Sequence, residues 1–261
     1  MKLNSANINV MVKACRKASK TLIRDFGEIE KLQVSLKGPG DFVTVSDKKV
    51  EKILIDELQK ARPNYSILSE EIGEIKNDQS FKWIIDPIDG TANFLHGIPH
   101  FAISVGLEHN SEIICGIIYD PIKDEMFLAE KGNGAYLNNQ RMRVSSRSKL
   151  KDCIIFTGGP KIESKDRELS LKEYNNFSSK VLIPIRKLGS AALDMAYVAA
   201  GRCDGFWQRN LNYWDIAAGI ILVKESGGFI TDFKGEKEYI QNKTVLATNS
   251  KINNEMIEVL K

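Results

Sequence analysis

The chain is poor in the residues that would make it a secreted scaffold, a zinc module or a membrane span. It has four cysteines, Cys15, Cys115, Cys153 and Cys203, far apart and never as CxxC. This argues against a disulfide framework or a zinc ribbon and leaves buried, reduced thiols as the reading. The only histidines are His96, His100 and His109. Their spacing matches no common zinc motif, so they read as structural or exposed. No Pro- or Ser-rich linker and no internal repeat interrupts the sequence. The longest apolar runs, such as AAGIILV at 217–223, fall far short of the ~20 residues a bilayer requires. The start, MKLNSANINVMVKACRK, has no continuous apolar core, so no signal peptide is expected and the chain reads as soluble and cytoplasmic. Charge of one sign is also lacking. Lys plus Arg is 37 and Asp plus Glu is 34, a net +3 that makes no case for a nucleic-acid binder. The stretch Arg141, Arg143, Arg147, Lys149 reads as a solvated loop.

What is present is an ordinary globular mix, 43% hydrophobic and 27% charged, in 261 residues. Ile8, Met11, Val12, Cys15, Ala18, Leu22 and Phe26 line one face of a helix over 5–26. KGPGDFVT at 37–44 reads as a turn-rich loop. A second helix follows, with Ser46 as N-cap, Val50, Ile53, Leu54 and Leu58 as its face, and Pro63 as its stop. Short strands follow at 65–68, 81–86, 101–108 and 112–120, then EMFLAE and GAYLNN across a KGNG turn. The remainder alternates: CIIFTGG strand, a polar helix over 164–179, VLIPIR strand, SAALDMAYVAAG helix, DGFWQ strand. It ends with YWDIAAGIILVKESGG as a helix closed by Gly-Gly, two short strands and a terminal helix. The expected organisation is a lobe over 1–150, with two helices and a mostly antiparallel sheet, and an α/β lobe over 151–261. The two are expected to share an interface as one compact unit.

The chemistry concentrates in DPIDG at 86–90. Two aspartates three apart end an apolar strand, Pro87 stiffens the step between them, and Gly90 permits a tight turn. Oxygen donors gathered in this way suit a hard cation such as Mg²⁺, and the carbonyl of Ile88 can add a neutral ligand. The helix opening at Thr91 offers backbone N–H groups to a phosphate. DxxD alone also occurs in ordinary acidic turns. Two further acidic groups accompany it. Ser69-Glu70-Glu71 ends a strand, and Asp215 begins an apolar helix, where a carboxylate also serves simply as an N-terminal charge. Trp207, Trp214 and Phe101 read as core aromatics.

WIIDPIDGTANF and WDIAAGIILVKESGG resemble the two signatures of the inositol monophosphatase family. KGPGDFVTVSDKKVE, LSEE, RKLGSAALDMAYVAAG and DGFW stand in the same order, so the resemblance spans nearly the whole chain and is closest to the bacterial SuhB-type branch. It implies a layered α-β-α-β-α sandwich, usually a homodimer. It also implies a Mg²⁺-dependent, often lithium-sensitive phosphomonoesterase for inositol-1-phosphate-like sugar or polyol phosphates. Carried over by residue, Glu70, Asp86 and the Ile88 carbonyl would hold a first Mg²⁺, and Asp86, Asp89 and Asp215 a second. Glu70 would also reach a third, hydrated ion. Thr91 and Asp47 would orient the attacking water, and Gly90 and Thr91 would face the phosphate. Gly189, Ser190 and Ala191 would line the alcohol side, and Lys37 and Asp41 would sit on a loop over the metals. One departure stands out: Gln208 occupies the position, seven residues before Asp215, where the family usually carries a Glu that contacts a sugar hydroxyl. The resemblance leaves open another small phosphate, namely fructose 1,6-bisphosphate, histidinol phosphate or a 3′-phosphoadenosine nucleotide. It also leaves open a SuhB-type protein-binding role with the transcription machinery.

Overall fold

The computed structural model describes residues 5–29, 45–77, 80–159 and 165–261, and the backbone alone of 34–38 and 41–44. In chain order the elements begin α1 (Ala6–Phe26), β1 (Val34–Gly38), β2 (Asp41–Thr44), α2 (Val45–Ala61), β3 (Ser66–Ser69), β4 (Gly73–Ile75) and β5 (Phe81–Asp89). Next come α3 (Thr91–Leu95), β6 (Ala102–His109), β7 (Glu112–Asp120), β8 (Glu125–Glu130), β9 (Gly134–Leu137) and β10 (Gln140–Arg141). The rest comprises β11 (Ile155–Thr157), α4 (Arg167–Ser178), α5 (Ala191–Ala199), β12 (Gly205–Arg209), α6 (Tyr213–Glu225), β13 (Phe229–Thr231), β14 (Thr244–Thr248) and α7 (Asn253–Leu260).

The large sheet runs β10-β9-β8-β7-β6-β5-β3-β4, antiparallel except where β3 lies parallel to β5. The small sheet runs β11-β12-β14-β13. Strand alternation sorts the side chains into layers. Trp83, Ile85, Val105 and Leu107 pack beneath α1 and α2, which contribute Ile8, Met11, Leu22, Leu54 and Leu58. Ile84, Ala102, Ile118 and Phe127 point the other way, against α5, α6 and the inner face of the small sheet at Phe206, Val245 and Ala247. Trp207 and Leu246 occupy that sheet's outer face with Phe177 of α4 and Met256 of α7. The result is a layered α-β-α-β-α sandwich. No described helix is long and apolar enough to cross a membrane. All four cysteines are buried and free.

Helix α6 lies across the strands of the large sheet, and glycine lets it approach. Gly106 and Gly116 face each other on β6 and β7. A Cβ on Gly116 would lie 2.5 Å from Ile221 Cγ2 and 2.8 Å from the Ala218 carbonyl oxygen. The helix is tied at both ends. Tyr213 OH donates to Glu108 Oε2 at 2.7 Å, and Glu225 accepts from the N–H groups of Gly132 and Gly134 at 2.9 and 2.8 Å.

Three local expectations are corrected. Residues 37–38 and 41–44 are strand rather than loop. Leu36 and Ser35 pair with Phe42 and Val43 in a two-stranded ribbon, the ordinary outcome for apolar, β-prone segments flanking Pro39-Gly40. Ser46 is not the N-cap of α2 but lies inside it, with its hydroxyl donating to the buried Asp25 Oδ2 at 2.7 Å. Among the described residues, VLIPIR at 181–186 forms only the single bridge Phe156↔Arg186. Pro184 has no N–H for a ladder, and Leu182 is 76% exposed, so the apolar run never joins a sheet.

Gly116→Ala should destabilise the protein by about 2 kcal/mol in urea unfolding, the scale of overpacking against backbone. Gly159→Ala, where a Cβ meets nothing within 4 Å among the described residues, should stay within about 0.5 kcal/mol of wild type. Equal effects would show that α6 does not depend on the glycine contact.

Candidate active site

The end of β5 builds the site through a break in register. Asp86 pairs with Ser104 and Asp89 with Ala102, so three steps on β5 match two on β6. In a regular strand, residues three apart point to opposite faces. The bulge at Pro87–Ile88 brings both aspartates to the face that already carries Ile84, toward α5 and α6. Ile88 turns to the opposite core. Pro87 is tolerated because a bulge needs no ladder donor there.

Asp215, on the first turn of α6, completes the cluster: one carboxylate oxygen from each of Asp86, Asp89 and Asp215 lies within 4.8 Å of the others. Asp86 and Asp89 are buried and Asp215 is half-buried. The Asp215 Oδ2 accepts from the Asn212 N–H at 2.6 Å, so the helix-capping reading and membership of the cluster both hold for this residue. Glu70 lies outside the mutual span of the three, but its carboxyl reaches that of Asp86. Burial, followed by the charges of Glu70, Asp89 and Asp215, pushes the Asp86 carboxyl well above the usual carboxylate range. Burial also raises Asp89, to about 6, although the Ser190 hydroxyl and the Ala192 N–H pull against it. Carboxylates forced together in this way favour protons or a cation.

The remaining expected residues are distributed around this cluster. The Thr91 hydroxyl donates to the Ile88 carbonyl at 2.9 Å and stands 3.5 Å from Asp47 Oδ1, which is fully buried on α2. Gly90 takes a left-handed φ of 95°, and a Cβ there would meet the His100 and Gly189 carbonyl oxygens at 3.1 and 3.2 Å. The Ser190 hydroxyl donates to Asp89 Oδ2 and accepts from the Leu193 N–H, capping α5, and the Ala192 N–H reaches the same Asp89 oxygen at 2.8 Å. Ala191 is buried beside them. Gln208 shares the strand face of Phe206, and its amide packs against Gly158, where a Cβ would be 2.0 Å from Oε1. Lys37 and Asp41 fall in β1 and β2, and their side chains lie outside the described residues.

Three contributors were missed. Asn93 donates to the carbonyls of His100 and Leu188 at 2.7 Å each, drawing Gly189 toward Gly90. Glu51 stands one turn beyond Asp47 on α2, and its Oε1 takes donors from the turn after β3. Asp194 is buried on α5 with no partner for Oδ1 among the described residues, and burial and then the Asp89 charge hold it well above its usual range. A lone acid in SAALDMAYVAAG and the i, i+4 pair Asp47/Glu51 were the available signals.

Metal-free stability should carry the signature of Asp89. Its pKa rises from ~3.9 in the unfolded chain to about 6, so the folded state binds more protons and loses stability as pH rises through that window. Asp89→Asn should gain on the order of 2 kcal/mol over wild type in chelator at about pH 8 relative to about pH 4. A difference independent of pH in denaturant melts would show that Asp89 titrates normally.

The inositol monophosphatase family model matches residues 4–260. Inositol-1-monophosphatase of Mesorhizobium japonicum is 49% identical over 258 residues, covering 98% of this chain and 97% of that one. Nus factor SuhB of Escherichia coli K12 is 39% identical, covering 94% and 92%. The crystal structure of extragenic suppressor protein suhB from Bartonella henselae superposes with a TM-score of 0.95 at 50% identity, covering 98% and 99%. The bulged carboxylate strand, the apolar helix that brings Asp215 to it and these likenesses agree: the chain belongs to the inositol monophosphatase family, a family of phosphatases.

Proposed function

We propose that the protein hydrolyses phosphomonoesters of the inositol-1-phosphate type with Mg²⁺ as cofactor. The observation that carries this reading is the convergence of Asp86, Asp89 and Asp215 within 4.8 Å at the end of a bulged strand. The donor set is entirely oxygen, and its buried carboxyls are raised by their own crowding, which fits a hard cation. Glu70, Asp86 and the Ile88 carbonyl would hold one ion, and Asp86, Asp89 and Asp215 another. Glu70 would also reach a third, hydrated ion. When bound, Mg²⁺ supplies Lewis-acid stabilisation of the phosphoryl oxygens and activation of water near neutral pH.

The chain's own groups do the rest. Thr91 Oγ1 and the Asp47 carboxylate behind it form the pair that orients the attacking water. The backbone N–H groups of Gly90 and Thr91 face the phosphate. Gly189, Ser190 and Ala191 bound the alcohol side, with the Ser190 hydroxyl serving Asp89 rather than the substrate. Gln208 offers the alcohol an uncharged contact, and Lys37 and Asp41 stand on the ribbon over the site. Residues 1–150 and 151–261 act as lobes of one unit, a reading supported by the shared core of Ile84, Phe127, Ile216 and Phe206. A homodimer, lithium sensitivity and a cytoplasmic setting belong to the same proposal. The name of the Escherichia coli relative supports a second, protein-binding role, which an inactive but folded variant would retain.

Asp86→Asn should lower turnover of inositol 1-phosphate by roughly 100-fold or more while the circular dichroism spectrum is kept. In wild type, millimolar Mg²⁺ should raise Tm by linkage. Near-normal turnover in the variant, or an unmoved wild-type Tm, would remove the metal assignment. Thr91→Ala should lower kcat by about tenfold or more with little change in KM, because water is oriented only on the way to the transition state. A change confined to KM would reassign Thr91 to phosphate binding.

A further inference from the structure

We infer that Glu51 is a positioning residue whose carboxylate sets Glu70 against Asp86, an inference that rests on the metal-centre reading above. Glu51 is 2% exposed on α2. Its Oε1 accepts from the Ser69 hydroxyl, from the Glu71 N–H at 3.0 Å and from the Ile72 N–H at 3.3 Å. These donors flank Glu70 on both sides along the chain. The N–H of Glu70 itself donates to the Ile85 carbonyl at 3.2 Å, on the residue preceding Asp86. Ser69 is held in register with Ile85 on one side and with Gly73 on the other.

The backbone around Glu70 is therefore clamped from β5 and from α2, and its carboxyl is delivered to Asp86. A buried negative charge takes three donors better than a neutral oxygen does, because charge-assisted hydrogen bonds are stronger. Without it, two backbone N–H groups and a hydroxyl lose their acceptor, and the turn relaxes to find others. The bland alternative is that Glu51 merely stabilises the β3–β4 turn. The two differ in what else moves: a turn support affects melting, whereas a support for Glu70 also affects cation binding. Asp47 and Glu51, one helical turn apart, thus give α2 two tasks, the first at Thr91 and the second at Glu70.

The test uses the full chain and a double-mutant cycle. Mg²⁺ is titrated against Tm, and against hydrolysis of inositol 1-phosphate, in wild type, Glu51→Gln, Glu51→Ala, Ser69→Ala, Glu70→Gln and Glu51→Gln/Glu70→Gln. Glu51→Ala should raise the half-saturating Mg²⁺ concentration by about tenfold, the scale of lost support behind a ligand. Glu51→Gln and Ser69→Ala should raise it less, and substrate KM at saturating Mg²⁺ should stay unchanged. If Glu51→Ala does not fold, the other two carry the result. The double variant should bind Mg²⁺ no worse than Glu70→Gln, because both changes act on one arm. Wild-type half-saturation in Glu51→Gln and Ser69→Ala, or additive losses in the double variant, would overturn the inference and leave the metal centre standing. Absence of any Mg²⁺ response in wild type would overturn both, and is distinguishable by that.

Discussion

The site depends on the extra residue between Asp86 and Asp89. A regular β5 would send one aspartate toward α5 and α6 and the other under α1 and α2, where Ile88 now sits among apolar side chains. The bulge converts a spacing of three into a shared face. It also ends the strand at Gly90, whose left-handed backbone starts α3 beneath the His100 and Gly189 carbonyls. Two carboxylates, a turn and a helix start are thereby locked into one rigid step.

That geometry is costly in the absence of a cation. Asp86 is raised by burial and by three acidic neighbours, and Asp89 by burial. The fold offsets part of the cost with fixed dipoles. The start of α5 turns the Ser190 hydroxyl and the Ala192 N–H onto Asp89, and the Asn212 N–H meets Asp215. These donors hold the Asp89 and Asp215 carboxyls in fixed orientations.

Helix α6 carries the third aspartate from the other half of the chain, and its position is decided by close packing. Gly106 and Gly116 open a channel in the sheet, and Ala217 and Ala218 fill it. Gly219 on the same helix leaves room for Met195 of α5. Bulk at these positions would lift α6 and, with it, Asp215. Gly106 and Gly116, on the sheet face that α6 covers, therefore help set where Asp215 stands.

Much of this was legible in the sequence because it is local. The periodicity of Ile8, Met11, Cys15, Ala18 and Leu22 determines an amphipathic helix wherever it sits, and DPIDG requires a turn at Gly90. The two long motifs, read together, pointed to the family and the layered fold. Other features depended on partners distant in sequence. Ser46 looked like a cap until Asp25 of α1 came within reach, and VLIPIR looked like a strand although Pro184 and the exposure of Leu182 keep it out of the sheet. Glu51 and Asn93 resemble ordinary surface residues along the chain. Only the folded structure sets them beside the β3 turn and between two loops, because hydrogen bonds across 20 or 95 positions follow from packing and leave no periodic trace. The sequence by itself determined the carboxylates and the elements that bear them. The tertiary structure decided, through the β5 bulge and the glycine channel under α6, that those carboxylates converge.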